Sequence, residues 1–68
     1  MKESLGERII NLRNNLGLSQ EQLAEKIGVS QRSISAWESN SNEPKSSYII
    51  KLAKFFDIST DSLLGGDD

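Results

Sequence analysis

Gln31, Arg32, Ser35 and Ala36 bring a two-way amide, a forked cation, a hydroxyl and a methyl into six consecutive positions. That set can recognise a flat polar edge through hydrogen bonds and one apolar touch. Carboxylates recur four residues apart at Glu21 with Glu25 and at Asp57 with Asp61. Nothing accompanies them that would make such pairs catalytic. The chain holds 0 histidines and 0 cysteines, which removes imidazole acid–base chemistry, thiol nucleophiles, zinc ligation and disulfides together. It has no glycine-rich phosphate loop and too few residues to wall a cleft. The expectation is therefore binding without catalysis, with no metal and no cofactor, and the carboxylate pairs read as solvated helix surface. Gln31 and Ser35 taken alone fit plain helix surface equally well, so their meaning depends on the element that carries them.

That element is spelled out twice. Leu18-Ser19-Gln20-Glu21-Gln22-Leu23 and Val29-Ser30-Gln31-Arg32-Ser33-Ile34 are two copies of one phrase, with Gly28 just before the second. In each copy the serine can cap a helix by accepting from an N–H two or three residues on, and the flanking apolar residues occupy the staple positions. Ser19 with Gln22 also fits a capping box. A short helix ending at Ile27, a glycine able to take positive φ, and a newly capped helix reverse the chain fast enough to cross two helices steeply. This is the spelling of a helix-turn-helix, and it points to duplex DNA. Projected at about 100° per residue with Ile34 and Trp37 inward, the second of these helices sends Arg32, Ser35, Ala36 and Ser39 outward and leaves Gln31 on the flank. Trp37 shares the register of Ile34 and reads as core, not as a base-stacking side chain.

The remaining helices supply the support. Leu5, Ile9, Leu12 and Leu16 lie on one stripe of a first helix over 3–16, closed by Gly17. The second helix, 20–27, turns Leu23, Ala24 and Ile27 inward, and the third covers 31–39. Ala24 is small where a tight crossing leaves no room for more. A polar loop over 39–44 ends in Pro44, with Asn40 a candidate left-handed residue. A fourth helix over 46–57 buries Ile49, Leu52, Ala53 and Phe56, with Lys45 or Ser46 as its cap and Lys51 and Lys54 solvating it. A third copy of the phrase, Ile58-Ser59-Thr60-Asp61-Ser62-Leu63, predicts a fifth helix over 60–64 closed by Gly65 and Gly66. No strand-like alternation is present. The expected fold is all-α: one compact domain of five helices over 1–66, followed by a loose acidic tail at 67–68.

At 68 residues most apolar side chains must share a single core. No apolar run nears the roughly 18 residues that would span a bilayer, and the N-terminus lacks a basic-then-apolar export pattern. A soluble cytoplasmic protein of bacterial or phage type, without membrane association, is expected. The formal net charge is −2, from 8 basic and 10 acidic residues. Residues 1–45 are balanced, with six of each sign, so the deficit of two comes from the last third. Few phosphates can be neutralised by such a chain, and non-specific affinity should be modest.

From Leu12 to Leu64 the chain resembles the phage-repressor and Cro-like helix-turn-helix proteins, the bacterial Xre-type regulators with a lambda-repressor-like fold. The resemblance is carried by residues 18–24 of the first phrase, Gly28-Val29-Ser30, Ile34, Trp37-Glu38, Pro44, Leu52-Ala53, Ile58-Ser59 and Leu63-Leu64. It implies that the third helix enters the major groove and reads base edges through Gln31, Arg32, Ser35 and Ala36. Arginine can donate bidentately to guanine, glutamine can pair with adenine, and alanine can touch a thymine methyl. It also implies phosphate contacts from Gln20 in the first turn of the second helix and from Arg13, Ser39, Asn40 and Lys45. Here the chain departs from the family pattern: Asn40 replaces a common glycine, and Ser41 stands where lysine is frequent. Related proteins often join a first-helix arginine to the glutamate after the aromatic of the third helix, which implies an Arg13–Glu38 ion pair here. Phe55, Ile58, Leu63 and Leu64 are the implied candidates for a homodimer surface.

The function so implied is a sequence-specific DNA-binding transcriptional regulator, dimeric on a palindromic operator. The alternative is a protein–protein interaction module, an antitoxin or regulatory partner, that keeps the fold and has little DNA affinity. The acidic balance and the altered loop favour the latter. Chain length suits either a complete Cro-like protein or the N-terminal domain of a longer repressor.

Overall fold

The computed structural model describes residues 3–65, which fold into five helices: α1 (Leu5–Asn15), α2 (Gln20–Ile27), α3 (Gln31–Glu38), α4 (Ser46–Phe56) and α5 (Thr60–Leu64). The expected closing role of Gly66 and the tail at 67–68 lie outside the described residues. No strand occurs among the described residues.

Serine starts four of these helices. Ser4, Ser19, Ser30 and Ser59 have extended backbone, and each accepts from the N–H three residues on, at Glu7, Gln22, Ser33 and Ser62. Each cap satisfies one of the amides that a helix N-terminus leaves without an internal partner. Ser4 with Glu7 and Ser19 with Gln22 are complete, reciprocal capping boxes. Helix α4 starts differently, from Lys45, with no side-chain cap. Stops are left-handed: Gly28 closes α2 at φ 86°, and the non-glycine Asp57 closes α4 at φ 59°.

Expected boundaries shift in three helices, α4 among them, which ends at Phe56 with Asp57 as its C-cap. Helix α1 begins at Leu5 because Ser4 is its cap, and ends at Asn15, so Leu16 leaves the apolar stripe and stands 55% exposed. Helix α3 ends at Glu38, with Ser39 as its C-cap.

The core comprises Ile9, Leu23, Ala24, Ile27, Ile34, Trp37, Leu52, Ala53 and Leu63, ringed by half-buried Leu5, Leu12, Leu18, Val29, Tyr48, Ile49, Phe55, Phe56 and Ile58. All five helices contribute to this core, so removing one leaves apolar surface on the others. Helix α3 packs on both α1 and α2, while α5 braces α4 and α1. The crossing of α1 over the end of α3 is close enough to need Gly6: a Cβ there would sit 2.7 Å from the Trp37 carbonyl oxygen and nearer still to that of Glu38. Tyr48 lays its ring 5.7 Å from that of Trp37, tying α4 to the same end of α3.

Candidate nucleic-acid interface

Burial of Ile34 and Trp37 fixes the rotation of α3, and the opposite face is left to solvent. Gln31, Arg32, Ser35 and Ser39 are exposed and Ala36 is half-buried. The helix thus presents one amide, one guanidinium, one hydroxyl and one methyl within two turns. Arg32 donates to no described residue, so its fork is available to an outside acceptor.

Behind this face runs a network of polar side chains. The Glu38 carboxylate, 5% exposed, accepts at 2.7 Å from Arg13 Nε and at 3.1 Å from Arg13 Nη2. This is the fork-to-fork geometry that makes an arginine–carboxylate pair strong. Glu38 Oε1 also accepts at 2.9 Å from Gln20 Nε2, and Gln20 Oε1 accepts at 3.4 Å from Gln31 Nε2. Arg13 Nη1 further donates to the Leu18 carbonyl at 2.8 Å, closing the turn between α1 and α2. A buried carboxylate with three donors and a buried guanidinium with matching acceptors satisfy each other, which is the condition under which burial of charge is tolerated.

Two of the implied phosphate ligands also bond within the fold. Arg13 is 14% exposed and directs Nε, Nη1 and Nη2 into Glu38, Leu18 and Asn14, so its position is that of a strut between helices. Asn40 does take left-handed backbone, at φ 61°, but its side chain turns back on α1: Oδ1 accepts from Gly6 N and Nδ2 donates to Ser4 Oγ, both at 3.0 Å. Lys45 is exposed at the cap of α4, and Gln20 is half-buried at the first position of α2 with its amide in the same network. Ser39 is exposed, its hydroxyl bonded to the Ala36 carbonyl and to Ser41 Oγ.

Among the implied dimer residues, Leu63 is corrected: at 0% exposure it is spent on the core. Leu64 stands 56% exposed, and Phe55 and Ile58 are half-buried. Three features escape a reading of the sequence. Lys51, which reads as solvation of α4, donates from Nζ to the Ile27 carbonyl at 2.9 Å and so caps the end of α2. Leu16 and Ile50 are exposed apolar residues that helical periodicity would bury or leave unmarked. The Gln20 bridge needs the α2–α3 crossing to be known, and no local pattern announces it.

Among the described residues no helix is long and apolar enough to cross a membrane, and no group of acidic residues is placed to hold a metal ion.

The HTH_3 helix-turn-helix family matches residues 9–63. The HTH-type transcriptional activator BcrR of Enterococcus faecalis is 40% identical over 62 residues, which are 91% of this chain and 30% of that protein. The repressor protein C2 of Salmonella phage P22 is 40% identical over 63 residues, 93% of this chain and 29% of that one. The chain therefore spans about a third of the length of these relatives. The crystal structure of the P22 c2 repressor protein in complex with a synthetic operator superposes with a TM-score of 0.88 and 38% identity, covering 96% of this chain and 98% of that one. The chain belongs to the helix-turn-helix family of phage repressors and Xre-type regulators.

Proposed function

We propose that this chain is the sequence-specific DNA-binding part of a transcriptional regulator, with α3 lying in the major groove. The observation that carries this reading is the outward face of α3, where exposed Gln31, Arg32 and Ser35 stand beside Ala36 on a helix held by a buried ion pair. Those side chains match the donor, acceptor and methyl pattern of base edges. The names of BcrR and C2, and the operator bound by P22 c2, support it.

Gln20 at the start of α2 and Lys45 at the start of α4, with Ser39 beside them, are the phosphate ligands of this reading. Gln20 has a second N–H beyond the one given to Glu38. One such domain offers limited contact area, so a homodimer on a palindromic operator, with half-sites about one DNA turn apart, doubles it. Leu64, with Phe55 and Ile58, is the apolar surface assigned to that dimer. The action needs no catalytic step and no cofactor, and it takes place where the DNA is, in the cytoplasm.

Selection of preferred sites from a random duplex pool tests the reading. The expected result is an enriched motif with two-fold symmetry, bound with an affinity that falls steeply as salt rises. Failure to enrich any sequence, together with salt-insensitive or absent binding, would overturn it in favour of a protein-interaction module.

A further inference from the structure

Residues 28–33 join α2 to the first turn of α3, and none of them is buried. Packing secures α3 further along, through Ile34, Trp37 and Glu38. Its far end is held again where the Trp37 ring meets Tyr48 and where Asn40 bonds to Gly6 and Ser4. The first turn instead carries exposed Gln31 and Arg32. Gly28 N and Val29 N both donate to the Ala24 carbonyl, and no backbone amide takes the carbonyl of Ile27. Lys51 of α4 does: its Nζ donates to that oxygen at 2.9 Å. Among the described residues this is the hydrogen bond that reaches the joint from outside α2 and α3. The ammonium also stands 3.6 Å from where a Cβ on Gly28 would be, so it lies over the turn itself. A cation suits this place because it makes a charge-assisted bond and faces the negative end of the α2 dipole.

We infer that Lys51 is a positioning residue for DNA recognition, holding the joint between α2 and α3 in register with α4 so that Gln31 and Arg32 reach base edges while Lys45 meets a phosphate. Helix α4 acts as a rod, and Lys45 stands six residues before Lys51, about 9 Å along its axis. One helix thus carries a proposed phosphate ligand at its start and a bond to the reading unit midway. Loss of that bond leaves the core intact, since the Lys51 side chain is exposed, but it frees a joint that packing does not hold. A recognition helix meets base edges with its N-terminal residues, which lie next to this joint. Displacement there costs base contacts first, because those need well-aligned hydrogen bonds, whereas the attraction between ammonium and phosphate survives small shifts. Lys51 itself touches no base; its effect travels through the Ile27 carbonyl. The inference rests on the groove-reading role proposed for α3.

The test measures affinity for a duplex from the site-selection experiment and for a scrambled one, with wild type, Lys51→Met and Lys51→Arg. Methionine keeps an unbranched stem and the helix propensity but has no donor, whereas arginine keeps a cationic donor. Thermal denaturation first fixes a temperature at which each variant is folded, so that a purely structural role would leave binding unmoved. In Lys51→Met the ratio of selected to scrambled affinity should fall about tenfold, the scale of one mismatched base pair, with the slope of log affinity against log salt preserved. Lys51→Arg should stay within about threefold of wild type. A wild-type ratio in folded Lys51→Met overturns the inference and leaves base reading by α3 intact. Equal weakening on both duplexes, with the salt slope reduced by about 1, makes Lys51 a phosphate ligand and overturns it as well. If the wild-type protein enriches no duplex, the DNA reading falls first and the inference with it. Should Lys51→Met not fold, the wild-type protein decides: in proton–nitrogen spectra of the lysine ammonium groups, Lys51 should exchange with water more slowly than the exposed Lys26 and Lys54. Exchange as fast as theirs would show no lasting bond to Ile27 and overturn the inference.

Discussion

Asn40 reaches across from the end of α3 to the start of α1, where its Oδ1 accepts from the backbone N–H of Gly6 at 3.0 Å. The same side chain donates to Ser4 Oγ, the hydroxyl that caps α1. Residue 40 has left-handed backbone, at φ 61°, and asparagine is among the few non-glycine residues that adopt it readily. One residue thus terminates one helix and anchors another.

Substitution separates these two roles. Asn40→Gly keeps the turn and loses the anchor, an expected cost of about 1 kcal/mol for one part-buried and one exposed hydrogen bond. Asn40→Ala loses the anchor and strains the turn as well, adding roughly 1–2 kcal/mol. Urea denaturation of the two variants should rank them in that order, and equal stabilities would remove the conformational part of the argument.

Gly6 makes the opposite prediction from helix propensity. At an open helix position Gly→Ala gains about 1 kcal/mol. Here the new methyl would press on the carbonyl oxygens of Trp37 and Glu38, which are backbone atoms of a packed helix and cannot swing away. Gly6→Ala is expected to destabilise by about 3 kcal/mol, the upper end of overpacking costs. A midpoint in urea at or above wild type would show that α1 slides aside without penalty.

The Arg13–Glu38 pair carries a larger share of stability than a surface ion pair, because both partners are largely withdrawn from water. Glu38→Ala leaves a largely buried guanidinium without its counter-charge, holding only its bonds to Leu18 and Asn14, at an expected cost of about 3 kcal/mol. That is a large share of the stability of a domain this size, about 3–10 kcal/mol, so the variant should be markedly less stable near room temperature. Arg13→Met/Glu38→Met together should recover a large part of the loss, since two apolar side chains have no charge to strand. A double-mutant cycle by chemical denaturation gives the coupling; a value near zero would reduce the pair to ornament.

Glu7 supplies the pH dependence at the other end of α1. The backbone N–H of Ser4, and next the Ser4 side chain, hold its carboxyl below the usual carboxylate range. A carboxylate whose folded value is depressed contributes stability that is present above its unfolded pKa and is lost as pH falls through the folded one. The capping box should therefore be intact at neutral pH and weaken on acidification. NMR titration of the Glu7 side chain is expected to give a midpoint below that of a model peptide. In Glu7→Gln the amide oxygen can still accept from Ser4, so the helix should keep its start while this residue's share of the acid sensitivity disappears.

How far the chain was legible follows from the range of each interaction. Helix starts were local: Ser19, Ser30 and Ser59 announce themselves with an apolar residue before and another four after, and the structure places α2, α3 and α5 where those phrases put them. Ser4 was missed as a cap although Glu7 stands three residues on, because the stripe through Leu5 suggested an earlier beginning. Leu16 was misread since a periodic position past the last helical turn no longer faces the core. The outward side of α3 followed from two residues, Ile34 and Trp37, whose burial fixes the rotation of the rest. What joins Gln20, Gln31 and Glu38, or Lys51 and Ile27, is a helix crossing. Side chains brought together that way leave no spacing in the chain to read.

Arg32 and Lys45 should fail in different ways on DNA, which makes the pair a test of how the proposed interface divides its labour. Arg32 is exposed on the outward face of α3, where the proposed reading has its guanidinium fork onto guanine. Arg32→Ala is expected to lose about 1–3 kcal/mol on the selected site and to relax preference at one base pair, while Arg32→Lys restores charge but not the bidentate geometry. Lys45 sits at the cap of α4, away from that face in sequence and suited to a phosphate. Lys45→Gln should weaken all duplexes alike and reduce the slope of log affinity against log salt by about 1. Fluorescence anisotropy over a salt series, run on the selected site and on a scrambled duplex, distinguishes the two behaviours. If Arg32→Ala instead weakens both duplexes equally and leaves every base preference in place, Arg32 is a phosphate ligand and the reading face must be redrawn around Gln31 and Ser35.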